Sequence, residues 1–177
     1  MPSVDPCYHQ PAAAILSQVQ DNLDHSRDWL ATHTASIDWD YFGSPAARIG
    51  ASEVAADFFA TDYTTGPEHY RAAALPTLPL ADDTFDLTLC GNLLFAYDHT
   101  LTLDEHTAAL LELARVTHGE VRVHPLYSVK PDGPLRYPQL DHVRDVLAQH
   151  GVATELRPIA SSWIVDARQT LVCTPAR

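Results

Sequence analysis

Cysteine is scarce in this sequence. Cys7, Cys90 and Cys173 are the three among 177 residues, and no two stand at Cys-x-x-Cys spacing. An odd, scattered set disfavours both a disulfide framework and a zinc knuckle, and it fits a reducing cytoplasm. Glycine is sparse too: Gly43, Gly50, Gly66, Gly91, Gly119, Gly133 and Gly151 include no Gly-x-Gly and no P-loop. Basic residues number 11 against 23 acidic ones, a formal charge of −12. That balance argues against nucleic acid or an anionic membrane held through a basic face. No apolar run is long enough to span a bilayer. The opening Met1-Pro2-Ser3-Val4-Asp5 lacks the basic start and apolar core of a signal peptide. Ten histidines are present, but none pairs with another at helix-face ligand spacing beside a carboxylate: His99 and His106 are seven apart, His142 and His150 eight. No metal site is expected from them. Spacing supports no Ser-His-Asp arrangement, and there is no internal repeat, low-complexity tract or linker.

What is present describes an ordinary globular chain, 46% hydrophobic and 19% charged, long enough for a real core. We expect one domain over residues 1–177. The stretch from Leu75 to Tyr97 organises it. Pro76 and Pro79 keep Leu75 to Leu80 extended, and Ala81-Asp82-Asp83-Thr84 makes a polar turn. Phe85, Leu87 and Leu89 then alternate with Asp86, Thr88 and Cys90, the period of a strand. Gly91-Asn92 ends that strand, and Leu93-Leu94-Phe95 follows as an apolar lid. A strand that ends in a small-residue crevice is where open α/β sheets bind ligands.

The remaining elements follow from local signals. Pro6 stops an opening strand, and Pro11 suits the first turn of a helix whose stripe is Leu16, Val19, Leu23 and Leu30. Ala31 to Gly43 reads as a loop pinned by Trp39, Tyr41 and Phe42. Ser44-Pro45 caps a helix carrying Ala47, Gly50, Ala51, Val54 and Phe58 on one face and ending near Thr61. Glu68 to Ala74 is a short strand by context. Thr102 and Glu105 form a capping box for a helix buried through Leu103, Leu110, Leu113 and Ala114, which Gly119 closes. Val121 and Val123 mark the next strand, and Tyr127 to Pro138 an ordered loop. Leu140, Val143 and Leu147 make the last helix, with Gly151 at its C-terminal cap. Val152 to Ile159 and Gln169 to Thr174 are two further strands. Cys90, at the end of a buried strand, reads as core packing rather than a nucleophile.

Leu78-Pro79-Leu80 followed by Asp83-x-Phe85-Asp86-Leu87 resembles the "LPF-x-D-x-x-FD" signature of class I methyltransferases that use S-adenosylmethionine. Leu103 to Val116 and Glu120 to Leu126 resemble that family's next helix and fifth strand, in order. The resemblance runs from about Tyr70 to the C-terminus. It implies an α/β fold with a Rossmann-like, mainly parallel sheet that includes Tyr70 to Ala74, Phe85 to Cys90 and Glu120 to Leu126. It also implies a final antiparallel hairpin, with Ala160 to Arg168 as its turn. The cofactor would be S-adenosylmethionine and the reaction methyl transfer to an unknown acceptor. By position Asp5 would accept hydrogen bonds from the ribose hydroxyls. Ala74 and Leu75 would supply backbone groups to adenine, where many members carry an acid. Cys90, Gly91 and Asn92 would line the crevice. No catalytic residue is assigned.

The family places a first strand and a Gly-rich turn ahead of the acidic residue, so that backbone can approach the methionine part of the cofactor. This sequence lacks both, and the family fold would be missing its central strand. Two unpaired strand edges are then expected. The sequence would be an N-terminally truncated gene product, or its strands would pair across the gap, or a second copy would cover the edge as a homo-oligomer. Three functions follow: a methyltransferase impaired as given, a cofactor-free relative acting as a binding or dimerisation subunit, and an unrelated α/β binding module. The partner would be a small-molecule or unknown methyl acceptor, with no nucleic acid and no membrane, in the cytoplasm.

Overall fold

This computed structural model of the chain describes residues 3–4, 6–32, 34–130 and 133–176. Two compact units divide the chain, Met1–Ala74 and Leu75–Arg177.

The first unit contains β1 (Ser3–Val4), α1 (Ala12–Thr32), α2 (Trp39–Phe42), α3 (Pro45–Thr65) and β2 (Tyr70–Arg71). α3 begins as its sequence dictates. Ser44 Oγ accepts the Ala47 N–H at 3.1 Å, and Pro45 takes a position where its missing N–H is not needed. The helix runs on to Thr65, because Thr61, Thr64 and Thr65 donate their hydroxyls to the carbonyls one turn back and stay satisfied inside the helix. The expected apolar stripe is turned outward: Val54 and Phe58 are 55% and 72% exposed. Alanines occur around most of the circumference of α3, so its sequence gives little contrast between faces. Aromatic area decides instead. Phe59 and Tyr63 join Tyr8 and Tyr70 in a cluster with ring centroids 4.9–5.6 Å apart. The Tyr70 hydroxyl donates to Asp62 Oδ2 at 2.7 Å; burial first, and that carboxylate second, push the phenol up to about 12.

The region expected as a loop pinned by buried aromatics instead carries Trp39, Tyr41 and Phe42 on the short α2, where none is buried and Tyr41 is 50% exposed; Trp39 Nε1 donates to the Thr34 carbonyl at 3.0 Å. β1 and β2 pair in parallel, Ser3 opposite Tyr70 and Val4 opposite Arg71. The expected strand from Tyr70 to Ala74 is thus confined to Tyr70–Arg71 and belongs to this two-stranded ribbon, not to the main sheet. Ala72, Ala73 and Ala74, weak strand formers, do not extend it.

The second unit contains β3 (Phe85–Gly91), α4 (Leu103–Arg115), β4 (Thr117–His124), β5 (Tyr127–Lys130), β6 (Gly133–Arg136), α5 (Leu140–Gln149), β7 (Val152–Pro158) and β8 (Gln169–Pro175). Its main sheet has the order β3-β4-β8-β7. β3 and β4 are parallel, whereas β4 with β8 and β8 with β7 are antiparallel. The fold is α/β with a mixed sheet rather than a mainly parallel one, and β3 lies at its edge among the described residues. The expected terminal hairpin is present as β7 and β8, with Leu156 opposite Leu171.

The capping box on α4 is formed: Thr102 Oγ1 accepts the Glu105 N–H at 3.3 Å and Glu105 accepts the Thr102 N–H at 2.7 Å. Gly151 follows α5 with φ of 77°, a left-handed turn that suits glycine. α4 and α5 pack on one face of the sheet. There Val121, Val123, Leu171 and Cys173 meet Leu110, Leu113, Val143 and Leu147, all buried. Each large side chain of this kind contributes about 1.5–3 kcal/mol by leaving water.

Three expectations change. Gly119 does not close α4, whose C-cap is Val116; it lies within β4 at a register shift. Tyr127 to Pro138 is no loop, because β5 and β6 pair there as a hairpin. Of Leu93-Leu94-Phe95, Leu94 and Phe95 are core residues and only Leu93 is exposed. Among the described residues no helix is long and apolar enough to cross a membrane.

Candidate functional site

The Leu75–Thr84 segment is stapled to α4. Glu112 Oε1 accepts the Leu78 N–H at 2.6 Å, and the Arg115 guanidinium donates to the carbonyls of Leu80 at 3.0 Å and Leu78 at 3.3 Å. Arg115 also holds Glu112 and Asp82. That guanidinium first, and the Leu78 amide after it, hold the Glu112 carboxyl below its usual range against the opposing effect of burial. The Asp83 and Phe85 amides then donate to the carbonyls of Arg115 and Val116, which launches β3 beside β4.

At the far end Gly91 pairs with His124, and the Asn92 N–H donates to the His124 carbonyl at 2.8 Å. Asn92 has φ of 52°, so the chain leaves the sheet sharply at that point. Cys90 is buried, and burial pushes its thiol up, outweighing a hydrogen bond with the Leu94 backbone. A thiol held protonated in that way is a packing group, not a nucleophile.

Beside these residues lies a groove of about 390 Å³. Leu89, Cys90 and Gly91 form one wall, Arg122 and His124 of β4 the next, and Arg157, Pro158, Ile159 and Thr170 the far side. His124 is fixed by two contacts: Nδ1 stands 3.2 Å from the Gln169 carbonyl and Nε2 3.2 Å from Ser162 Oγ. A carbonyl only accepts, so Nδ1 carries the proton, and Nε2 of the neutral ring accepts the Ser162 hydroxyl. Burial lowers the His124 pKa, partly offset by the Gln169 bond. Ser162 is buried and also accepts the Ile164 N–H at 3.3 Å. The pair is therefore structural, fixing the His124 ring beside the groove.

Arg122 and Arg157 converge on Glu120. Arg122 Nε and Nη2 donate at 2.9 and 2.7 Å, Arg157 Nη1 and Nη2 at 3.1 and 2.9 Å, and Arg157 also bonds Glu155 at 2.9 Å. The two guanidiniums, Arg157 first, pull the Glu120 carboxyl down to about 2. This wall is charged but balanced, two cations against two carboxylates.

The sequence-predicted residues fall as follows. Asp5 lies outside the described residues. Ala74, exposed, ends the first unit, and Leu75, partly buried, opens the second. Cys90 and Gly91 line the groove together, and Asn92 adjoins it without lining it. Sequence reasoning missed His124, Arg122, Arg157 and Thr170. The alternation of Glu120, Arg122 and His124 against Val121 and Val123 carried a signal, since it puts all three on the face opposite the core. Among the described residues no group of three or more His, Cys, Asp or Glu side chains is placed to hold a metal ion.

No family model matches the chain. It is similar to an uncharacterized protein of Methanocaldococcus jannaschii, 25% identical over 118 residues. That match takes in 64% of this chain and 53% of the archaeal protein, so the chain spans about half the length of the curated relative it matches.

Proposed function

We propose that the chain is a methyltransferase-like domain whose cofactor would be S-adenosylmethionine, seated at the carboxyl ends of β3 and β4. The observation that supports this reading is the parallel pairing of β3 with β4 on either side of α4, followed by the antiparallel pair β7 and β8. The strand launched from Leu78-Pro79-Leu80 and Asp83-x-Phe85-Asp86 thereby ends beside the next strand, at a groove holding Cys90 and Gly91. Ligands of α/β sheets gather at such strand ends.

The family's chemistry is in-line displacement, in which a nucleophile takes the methyl group from a sulfonium. Proximity and orientation are most of what the protein supplies. Here the rigid elements that would provide them are the Glu112–Arg115 staple behind β3 and the His124–Ser162 contact behind β4. The acceptor is unassigned, and so is a catalytic base.

A thermal-shift titration tests the reading. A rise in the melting temperature of the second unit at millimolar S-adenosylmethionine, absent with adenosine-free sulfonium compounds, is the expected result. No rise at any concentration would favour a cofactor-free binding subunit instead.

A further inference from the structure

We propose that β3 is a self-association edge, which a second copy of this chain completes by antiparallel pairing about a two-fold axis at Thr88. Two features of the sheet separate this edge from the rest of its open face. Over the middle of β4, β8 and β7, beside the groove, that face is covered by the Glu155–Arg157–Glu120–Arg122 ladder, beneath which Val172 is only 1% exposed. Such a surface is finished for water. Over β3 nothing comparable exists: Leu89 is 64% exposed, and beyond the strand Leu93 and Tyr97 are 47% and 51% exposed. β3 also has no strand neighbour but β4 among the described residues. The edge carries no proline or lysine, and its one irregularity, the register shift between Phe85 and Leu87, leaves Leu87 to Gly91 regularly paired and open to strand addition.

The sequence of β3 fits its own copy. With Thr88 on the axis, Leu87 faces Leu89 of the second copy, Leu89 faces its Leu87, and Phe85 covers its Gly91. The exposed Leu89 and the half-buried Leu87 each gain an apolar cross-strand partner in this register. Charge does not oppose a second copy at this edge. Asp86 is the one charged residue in β3, and His118 Nε2 lies 2.9 Å from its carboxylate. About the axis the two Asp86 residues stand four positions apart along the strands, roughly 13 Å. That exceeds the screening length of about 8 Å at physiological salt, so a chain of net charge −12 can meet itself here without like-charge contact. A one-residue slip would place the leucines on the wrong face, which fixes the register.

Sedimentation velocity on the full chain is the test, paired with amide hydrogen exchange. The expected species has twice the 19.5 kDa protomer mass, with concentration-dependent protection of the β3 amides. Leu89→Lys, at a position already exposed, should weaken association roughly tenfold or more while leaving the circular dichroism spectrum unchanged. Phe58→Ser in the first unit should leave association intact. A monomer at every concentration overturns the proposal, as does a dimer without β3 protection or one that is lost only with Phe58→Ser. Amides of β3 already protected in the monomer would mean that the chain covers its own edge, and would overturn it too.

Discussion

A Cβ placed on Gly119 would sit 1.9 Å from the carbonyl oxygen of Asp86 and 2.9 Å from its carbonyl carbon. The contact is backbone to backbone, so no side chain can swing away. It arises where the pairing of β3 and β4 shifts register: Phe85 faces Thr117, but Leu87 faces Glu120. The extra residue on β4 is a bulge, and glycine lets the strands approach there.

Gly119→Ala should therefore destabilise the second unit by roughly 2–4 kcal/mol, at the severe end for one methyl group. Gly91→Ala is the control, since its Cβ would meet nothing within 4 Å. Urea unfolding of both variants measures the difference. Equal midpoints would show that β3 and β4 separate freely at the bulge.

The Glu112–Arg115 pair yields a second expectation. Glu112 is shielded by the segment it binds, and it satisfies a backbone amide that the prolines around Leu78 leave without a regular partner. Glu112→Ala should cost about 1–2 kcal/mol and speed amide exchange from Leu78 to Asp83 before the rest of the sheet. Glu112→Gln keeps an acceptor and should restore part of the protection. Exchange that rises uniformly through the unit would argue against a local staple.

Local chemistry was the legible part of this chain. Ser44-Pro45, Thr102 with Glu105, and Gly151 each act within one turn, and each stands where the sequence put it. β3 and β4 were legible because apolar residues alternate in them, and β7 and β8 were expected as the closing hairpin. The β5–β6 hairpin was a local miss, read as a loop between Tyr127 and Pro138; the other failures were decisions made at a distance. Val54 and Phe58 have helical spacing, yet the cluster of Tyr8, Phe59, Tyr63 and Tyr70 sets which face of α3 is buried. Gly119 looks like a helix terminator until Asp86 is brought against it. The groove residues Arg122, Arg157 and Thr170 come from three strands whose order no local pattern reveals.

Acid should act through Glu120. Its carboxyl is ordinary at 4.5 when free and is drawn to about 2 by Arg157 and Arg122. A carboxyl lowered in the folded state contributes stability above its unfolded pKa and loses it as pH falls through the folded value. The β4–β7 ladder should thus weaken between about pH 4.5 and 2. Glu120→Gln should flatten the fall in stability over that window, measured by urea unfolding at stepped pH. An unchanged slope would show that the ladder is too well solvated to matter.

The cofactor expectation is the sharpest, because it joins the groove to what the sequence lacks. Cys90 and Gly91 line the groove at the strand ends, whereas Leu75, the expected adenine contact, is not among its lining residues. No Gly-x-Gly is present to bring backbone amides to a methionine carboxylate, and both guanidiniums at the groove are already held by Glu120. Charged ligand groups left unpaired oppose binding at about 1–3 kcal/mol each, enough to move a micromolar ligand towards millimolar. Calorimetry should accordingly find S-adenosylmethionine bound weakly by this chain. Gly91→Trp should remove even that binding by filling the groove, because the space beyond Gly91 is open and the strand can carry the ring without strain. Its melting temperature should stay within a few degrees of the parent. Saturation at micromolar cofactor would mean that residues other than a Gly-rich turn hold its methionine end. Affinity unchanged by Gly91→Trp would move the ligand away from the end of β3 altogether.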